Sequence, residues 1–95
     1  MGFFSDDTKP RVTKEEFQKV RGSLSANGFT LKEINRVEEI FRGDMYEERE
    51  KDKGVDEFEL QNTIAWMRAN MSKHNLSEPK IAILEREMIE RINHL

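Results

Sequence analysis

The apolar positions of this chain fall into four groups, each with the spacing of a helix. Within a group they recur every three or four residues, which places them along one side of a helix. The pattern predicts helices at 13–27, 30–43, 56–74 and 77–94. Three of the links between them look short, which favours antiparallel neighbours. The expected fold is therefore all-α, a compact four-helix bundle.

Each predicted helix begins with a similar local signal. An apolar residue precedes a capping residue, and a second apolar residue follows five positions after the first, the spacing of a hydrophobic staple. In the first three helices a glutamate stands three residues after the cap, where it can accept a hydrogen bond from the cap's own N–H and complete a capping box. The four capping residues are Thr13, Thr30, Asp56 and Ser77.

Two segments outside these helices need their own interpretation. Residues 1–11 are expected to form a flexible N-terminal leader to a single domain of residues 12–95. Gly43 followed by Asp44 predicts a break or kink in the second helix. The stretch 45–53 is almost entirely charged, and it fits either a solvated helical extension to residue 53 or a loop.

The third predicted helix carries apolar residues on two sides. One side is expected to face the core, and because the other is also apolar we expect this helix to lie between neighbours. The only tryptophan of the chain, Trp66, falls between the two sides. The first side consists of Leu60, Ile64, Met67 and Met71, and the second of Phe58, Ala65 and Ala69.

The amino-acid composition and the net charge exclude several classes of function. The absence of cysteine excludes disulfides, thiolate metal ligands and a cysteine nucleophile. A formal net charge of −3 gives no electrostatic reason to expect nucleic acid or an anionic membrane as partner. No apolar run approaches the roughly 20 residues that span a bilayer. We therefore expect a cytoplasmic protein that binds neither nucleic acid nor membrane.

Catalytic patterns are weak in this sequence. The two histidines, His74 and His94, lie near predicted helix ends, where a cation interacts favourably with the helix dipole. Neither belongs to a metalloprotease or a Ser-His-Asp pattern, and the acidic residues fall mostly on exposed stripes. We expect no enzymatic activity and no cofactor.

The start of the third helix resembles the exit half of an EF-hand calcium loop. Asp56 stands where that loop has an oxygen ligand, and Glu59 stands at its bidentate glutamate. Lys53 replaces the glycine that the loop requires for its turn. The resemblance implies a degenerate divalent-cation-binding helix pair, whereas the same two carboxylates also fit an ordinary capping box. The further ligands implied are Glu48, Glu50 and Asp52.

The first two helices also have the arrangement of a helix-turn-helix DNA reader. Interleaved acids on the proposed recognition helix would oppose contact with phosphate, so we rank this interpretation last. The cations of that helix are Lys32, Arg36 and Arg42. Its acids are Glu33, Glu38 and Glu39.

The remaining feature is apolar surface beyond the four main stripes. Tryptophan and methionine are enriched at protein interfaces, because one is a large anchor and the other adapts its shape. We therefore predict a small protein–protein interaction or self-associating module, with the divalent-cation-binding pair as the alternative. The predicted partner-binding residues are Trp66, Ile83, Ile89 and Phe58.

Overall fold

The computed structural model describes residues 10–45 and 53–95, and it confirms the all-α four-helix bundle. Successive helices are neighbours around the bundle, and α4 closes the ring by packing against α1. The helices are α1 (Lys14–Ala26), α2 (Leu31–Met45), α3 (Glu57–Ala69) and α4 (Glu78–Asn93), with a short 3₁₀ turn at Met71–Lys73. In the ranges described, no helix combines the length and the apolarity that crossing a membrane requires. Most of the predicted leader (1–9) and of the charged segment (46–52) lies outside those ranges.

All four predicted helix starts coincide with a helix. The capping boxes of α2 and α3 close in both directions, through Thr30 with Glu33 and Asp56 with Glu59. At α1, Thr13 accepts a hydrogen bond from the Glu16 N–H. At α4 the cap residue makes no side-chain hydrogen bond to the helix. Both members of every predicted staple are buried, namely Val12, Phe17, Phe29, Ile34, Val55, Leu60, Leu76 and Ile81.

An antiparallel β-bridge joins the segments that lead into α1 and α3. The Val12 N–H donates to the Val55 carbonyl oxygen and the Val55 N–H donates to that of Val12, each at 2.9 Å. Next to the bridge, the Gly54 N–H donates to the Asp44 carbonyl oxygen at 2.7 Å. The starts of α1 and α3 and the end of α2 therefore meet at one end of the bundle.

The sequence predicts a break or kink at Gly43 and Asp44, but the second helix continues through both residues to Met45. The Met45 side chain is fully buried. Such burial stabilises by about 1.5–3 kcal/mol. A glycine inside a helix costs only about 1 kcal/mol relative to alanine. Packing of the last turn therefore overrides the local preference.

The third helix ends at Ala69, earlier than the predicted end at residue 74. The Asn70 side chain donates from Nδ2 to the Trp66 carbonyl oxygen at 2.8 Å. The Asn70 backbone N–H donates to the carbonyl oxygen three residues back, that of Met67, at 3.2 Å, and not to the one four residues back as in an α-helix. Asparagine competes with helical hydrogen bonding in this way. The 3₁₀ turn follows, and Asn75 then adopts a left-handed backbone with φ of 59°.

The second apolar side of α3 faces solvent, although the helix lies between two neighbours as expected. Phe58 is 71% exposed, and Ala65 and Ala69 are also exposed. The helix does lie between α2 and α4. Its single buried stripe, formed by Leu60, Ile64 and Met67, accommodates both neighbours.

Candidate interaction groove

A groove runs between α2 and α3, which have the least extensive contact of the four neighbouring pairs. Ile40 and Trp66 line it along both of its halves. Trp66 is 43% exposed, and Ile40 is partly buried against the core. We call this the α2–α3 groove, and it is lined by Lys32, Asn35, Arg36, Glu39, Ile40, Asn62, Thr63, Trp66, Lys73 and His74.

Trp66 owes its position to the end of α3. The hydrogen bond from Asn70 to its carbonyl oxygen holds the backbone. Its ring lies against that of His74, with 6.2 Å between the ring centroids and an angle of 46° between the planes. This tilted contact supports one side of the indole and leaves much of the ring facing the groove.

His74, which the sequence places near a helix end, is a buried link between α3 and α4. It is only 3% exposed. The Leu76 N–H donates to Nδ1 at 3.1 Å, and Nε2 lies 2.8 Å from the Met67 carbonyl oxygen. Because Nδ1 accepts, the proton is assigned to Nε2, which donates to Met67. The ring thereby satisfies one polar group on each side of the α3–α4 connection.

One end of the groove has a cationic rim. Lys32, Arg36 and Lys73 line it, and Glu39 is the single carboxylate among its lining residues. The Glu39 carboxylate is itself 3.6 Å from a guanidinium nitrogen of Arg42. The lining residues therefore carry a local charge of +2, on a chain whose net charge is −3.

Two further acids of α2, Glu33 and Glu38, are held by neighbouring helices. Lys80 Nζ lies 2.7 Å from a Glu33 carboxylate oxygen, and a guanidinium nitrogen of Arg21 lies 2.6 Å from Glu38. The hydrogen bond from Lys80 lowers the pKa of Glu33 below its ordinary value of 4.5. Both carboxylates thus pair with cations of α1 and α4 and are not among the residues that line the groove.

The structure does not bring the four predicted partner-binding residues together. Of these, only Trp66 lines the α2–α3 groove. Phe58 lines a separate groove with Pro10 and the end of α4. Ile83 and Ile89 are partly buried and pack against the core.

The two described carboxylates of the EF-hand resemblance, Asp56 and Glu59, are bound by other groups of the protein. Asp56 and Glu59 form the capping box of α3. Arg11 places one guanidinium nitrogen 3.1 Å from Glu59 Oε1 and 3.2 Å from the Gly54 carbonyl oxygen, and the other 3.4 Å from Asp56 Oδ2. In the described ranges no group of three or more His, Asp or Glu side chains is arranged to hold a metal ion. The other implied ligands, Glu48, Glu50 and Asp52, lie outside those ranges.

Arg11 is a residue whose role the sequence pattern does not reveal. It falls in the predicted leader, yet its side chain is largely buried against residues more than 40 positions away. Burial raises the pKa of Glu59 above its ordinary value of 4.5, and attraction to Arg11 opposes that rise. The arginine therefore compensates the carboxylates at the start of α3.

Replacing Arg11 with glutamine is expected to lower the free energy of unfolding at neutral pH by about 2 kcal/mol, since charged hydrogen bonds are lost from a half-buried site. Without Arg11, the pKa of Glu59 rises further. A carboxyl group whose pKa is raised in the folded state stabilises the fold at pH values below its ordinary pKa. This stabilisation is lost as the pH rises through the raised pKa. The deficit relative to the wild type is therefore largest at neutral pH and shrinks as pH falls towards 4.5.

Urea unfolding at several pH values measures this difference. Arg86→Gln is the matched control, because Arg86 is exposed and, among the described residues, pairs only with Asn27 and its neighbour Glu87. We expect the control to change stability by less than about 0.5 kcal/mol. A deficit of Arg11→Gln that stays constant across pH would contradict the electrostatic role.

No protein-family model, curated protein or solved structure matches this chain.

Proposed function

We propose that this protein is a small protein-binding module that works by association and not by catalysis, and that the α2–α3 groove is its contact surface. The observation that carries the proposal is the position of Trp66, a large aromatic side chain held at the edge of a groove with 43% of its surface exposed. Aromatic anchors of this kind dominate the binding energy of many interfaces.

The surroundings of Trp66 support binding more than a structural role. The neighbouring Met67 is fully buried and serves the core. Trp66 instead lines a groove together with Ile40, and polar side chains surround both. An apolar centre with a polar rim is the usual anatomy of a protein-binding site.

Comparison of Trp66→Ala with Met67→Ala tests this assignment. We expect Trp66→Ala to lower the free energy of unfolding by about 1.5 kcal/mol, because much of the ring is already in water. For Met67→Ala we expect about 3 kcal/mol, since it leaves a cavity in the core. Both variants place alanine in the same helix, so helix propensity separates them by less than about 0.5 kcal/mol, the difference between methionine and tryptophan. Thermal unfolding that shows equal losses would make Trp66 a structural residue and remove the proposal.

Light scattering after size-exclusion chromatography identifies the kind of partner. A dimer that forms with rising concentration and is abolished by Trp66→Ala assigns the groove to a second copy of this chain. A monomer at all concentrations excludes a second copy as the partner. Because Trp66 is the only tryptophan, its fluorescence emission reports directly on occupation of the groove.

A further inference from the structure

We propose that the α2–α3 groove takes an acidic peptide segment, with an apolar side chain of the ligand seated against Trp66 and Ile40. This inference rests on the proposed function and adds the chemistry of the partner. It follows from the way charge and apolar surface are distributed along the groove.

The charged half of the groove selects for an anion. Three cations and one carboxylate line it, and the carboxylate already has Arg42 as a neighbour. Arg36 donates to the His74 carbonyl oxygen at 3.4 Å, which holds its guanidinium at the groove wall. Lys32 and Lys73 are exposed. Complementary charge at a rim of this kind steers and selects partners.

The other half of the groove selects for an apolar side chain. It is lined by Ile40, Asn62, Thr63 and Trp66, with no charged residue among them. The two halves share Ile40 and Trp66, so one ligand can use both. A bound segment would thus place its apolar anchor near Thr63 and its acidic residues near Lys32 and Lys73.

Two amides favour a peptide as the ligand. Asn35 and Asn62 line the groove and have exposed side chains. An asparagine amide both donates and accepts, which matches the N–H and the carbonyl of an extended backbone. A nucleic acid would need cations along its whole phosphate backbone, whereas the described residues that line the neutral half include none.

Selection from a displayed library of random peptides tests the inference. The full chain is immobilised, and peptides are retained only if they bind the wild type and not Trp66→Ala. We expect the retained peptides to be enriched in aspartate and glutamate beside a leucine or an aromatic residue. Against Lys32→Glu/Lys73→Glu, their affinity is expected to fall about tenfold, because attraction is replaced by repulsion at the rim.

The matched control is Lys14→Glu/Lys19→Glu, which changes the net charge equally at exposed lysines of α1 outside the groove. It is expected to leave peptide affinity within twofold, which is about 0.4 kcal/mol. Peptides that depend on Trp66 but are neutral or basic, or that ignore the rim variant, would overturn the acidic ligand and leave the proposed function standing. Failure to retain any Trp66-dependent peptide would overturn both.

A thymidine oligonucleotide serves as the competing probe. We expect it not to bind at physiological salt. Binding that weakens steeply with added salt and disappears in Lys32→Glu/Lys73→Glu would assign the groove to single-stranded nucleic acid and overturn the peptide ligand.

Discussion

Replacing Gly54 with alanine is expected to lower the free energy of unfolding by about 3 kcal/mol, from backbone strain together with steric overlap. Gly54 has a φ of +106°, a backbone conformation that residues with a Cβ rarely adopt. An added Cβ would lie 2.9 Å from the Arg11 Cβ, 3.0 Å from the Val12 carbonyl oxygen and 3.2 Å from the Val12 carbonyl carbon. Two of these three atoms are backbone, so the overlap is not relieved by a side-chain rotation.

The consequence reaches beyond Gly54 because Val12 belongs to the bridge with Val55. Moving the Val12 backbone away would lengthen both hydrogen bonds of the bridge. It would also shift Arg11, whose guanidinium is held by the Gly54 carbonyl oxygen and by Glu59. We therefore expect the whole contact between the segments that lead into α1 and α3 to weaken.

Gly28→Ala is the matched control for backbone strain alone. Gly28 has a φ of +92°, and an added Cβ would meet no atom within 4 Å. We expect a loss of about 1 kcal/mol. Urea unfolding followed by circular dichroism measures both variants. Equal losses for Gly28→Ala and Gly54→Ala would show that the close approach of Gly54 to Val12 contributes nothing.

Replacing His74 with alanine is expected to lower the free energy of unfolding by about 3 kcal/mol, through a cavity and an unpaired donor. The Leu76 N–H would lose its hydrogen bond to the ring. The Met67 carbonyl oxygen would lose one of its two partners and keep the N–H of Asn70. Both groups lie where α3 gives way to α4, so we expect these helices to separate first.

His94→Ala provides the comparison, since His94 is exposed and, within the part of the chain that the structure describes, its ring bonds only to the Glu90 carbonyl oxygen, at 2.6 Å. We expect it to change stability by less than about 0.5 kcal/mol. The Trp66 emission should also change in His74→Ala, because the ring beside the indole is removed. A loss of stability no greater than that of His94→Ala would mean that His74 does not join the two helices.

The helix starts are the best predicted part of this fold. Thr30 with Glu33 and Asp56 with Glu59 form their capping boxes from residues three positions apart, and every staple is buried. Such signals lie within six consecutive residues, so they are readable without knowledge of the rest of the chain.

The helix ends were harder to predict because distant contacts compete with local preference. The helix α2 continues past Gly43 because the Met45 side chain is buried in the core. Asn70 ends α3 early by bonding to the Trp66 carbonyl oxygen. For α2 the free energy gained by burying Met45 decides where the helix ends. That free energy depends on which side chains surround Met45 in the folded protein.

The candidate groove was only half predicted. Trp66 was identified from its residue type and from its place between the two sides of its helix. For Lys32 and Arg36 the sequence suggests only a contact to DNA, which the acids of the same helix would oppose. The structure pairs Glu33 with Lys80 and Glu38 with Arg21, and Lys32 and Arg36 line the groove together with Trp66.

The sequence by itself determined four helices, their starting points and the apolar stripe that each one buries, because these depend on residues close together in the chain. Only the tertiary structure decided which apolar side chains stay exposed, where Arg11 binds and which charges surround Trp66. Those properties depend on helices meeting across long separations in sequence, so no local pattern records them. The α2–α3 groove arises from that assembly.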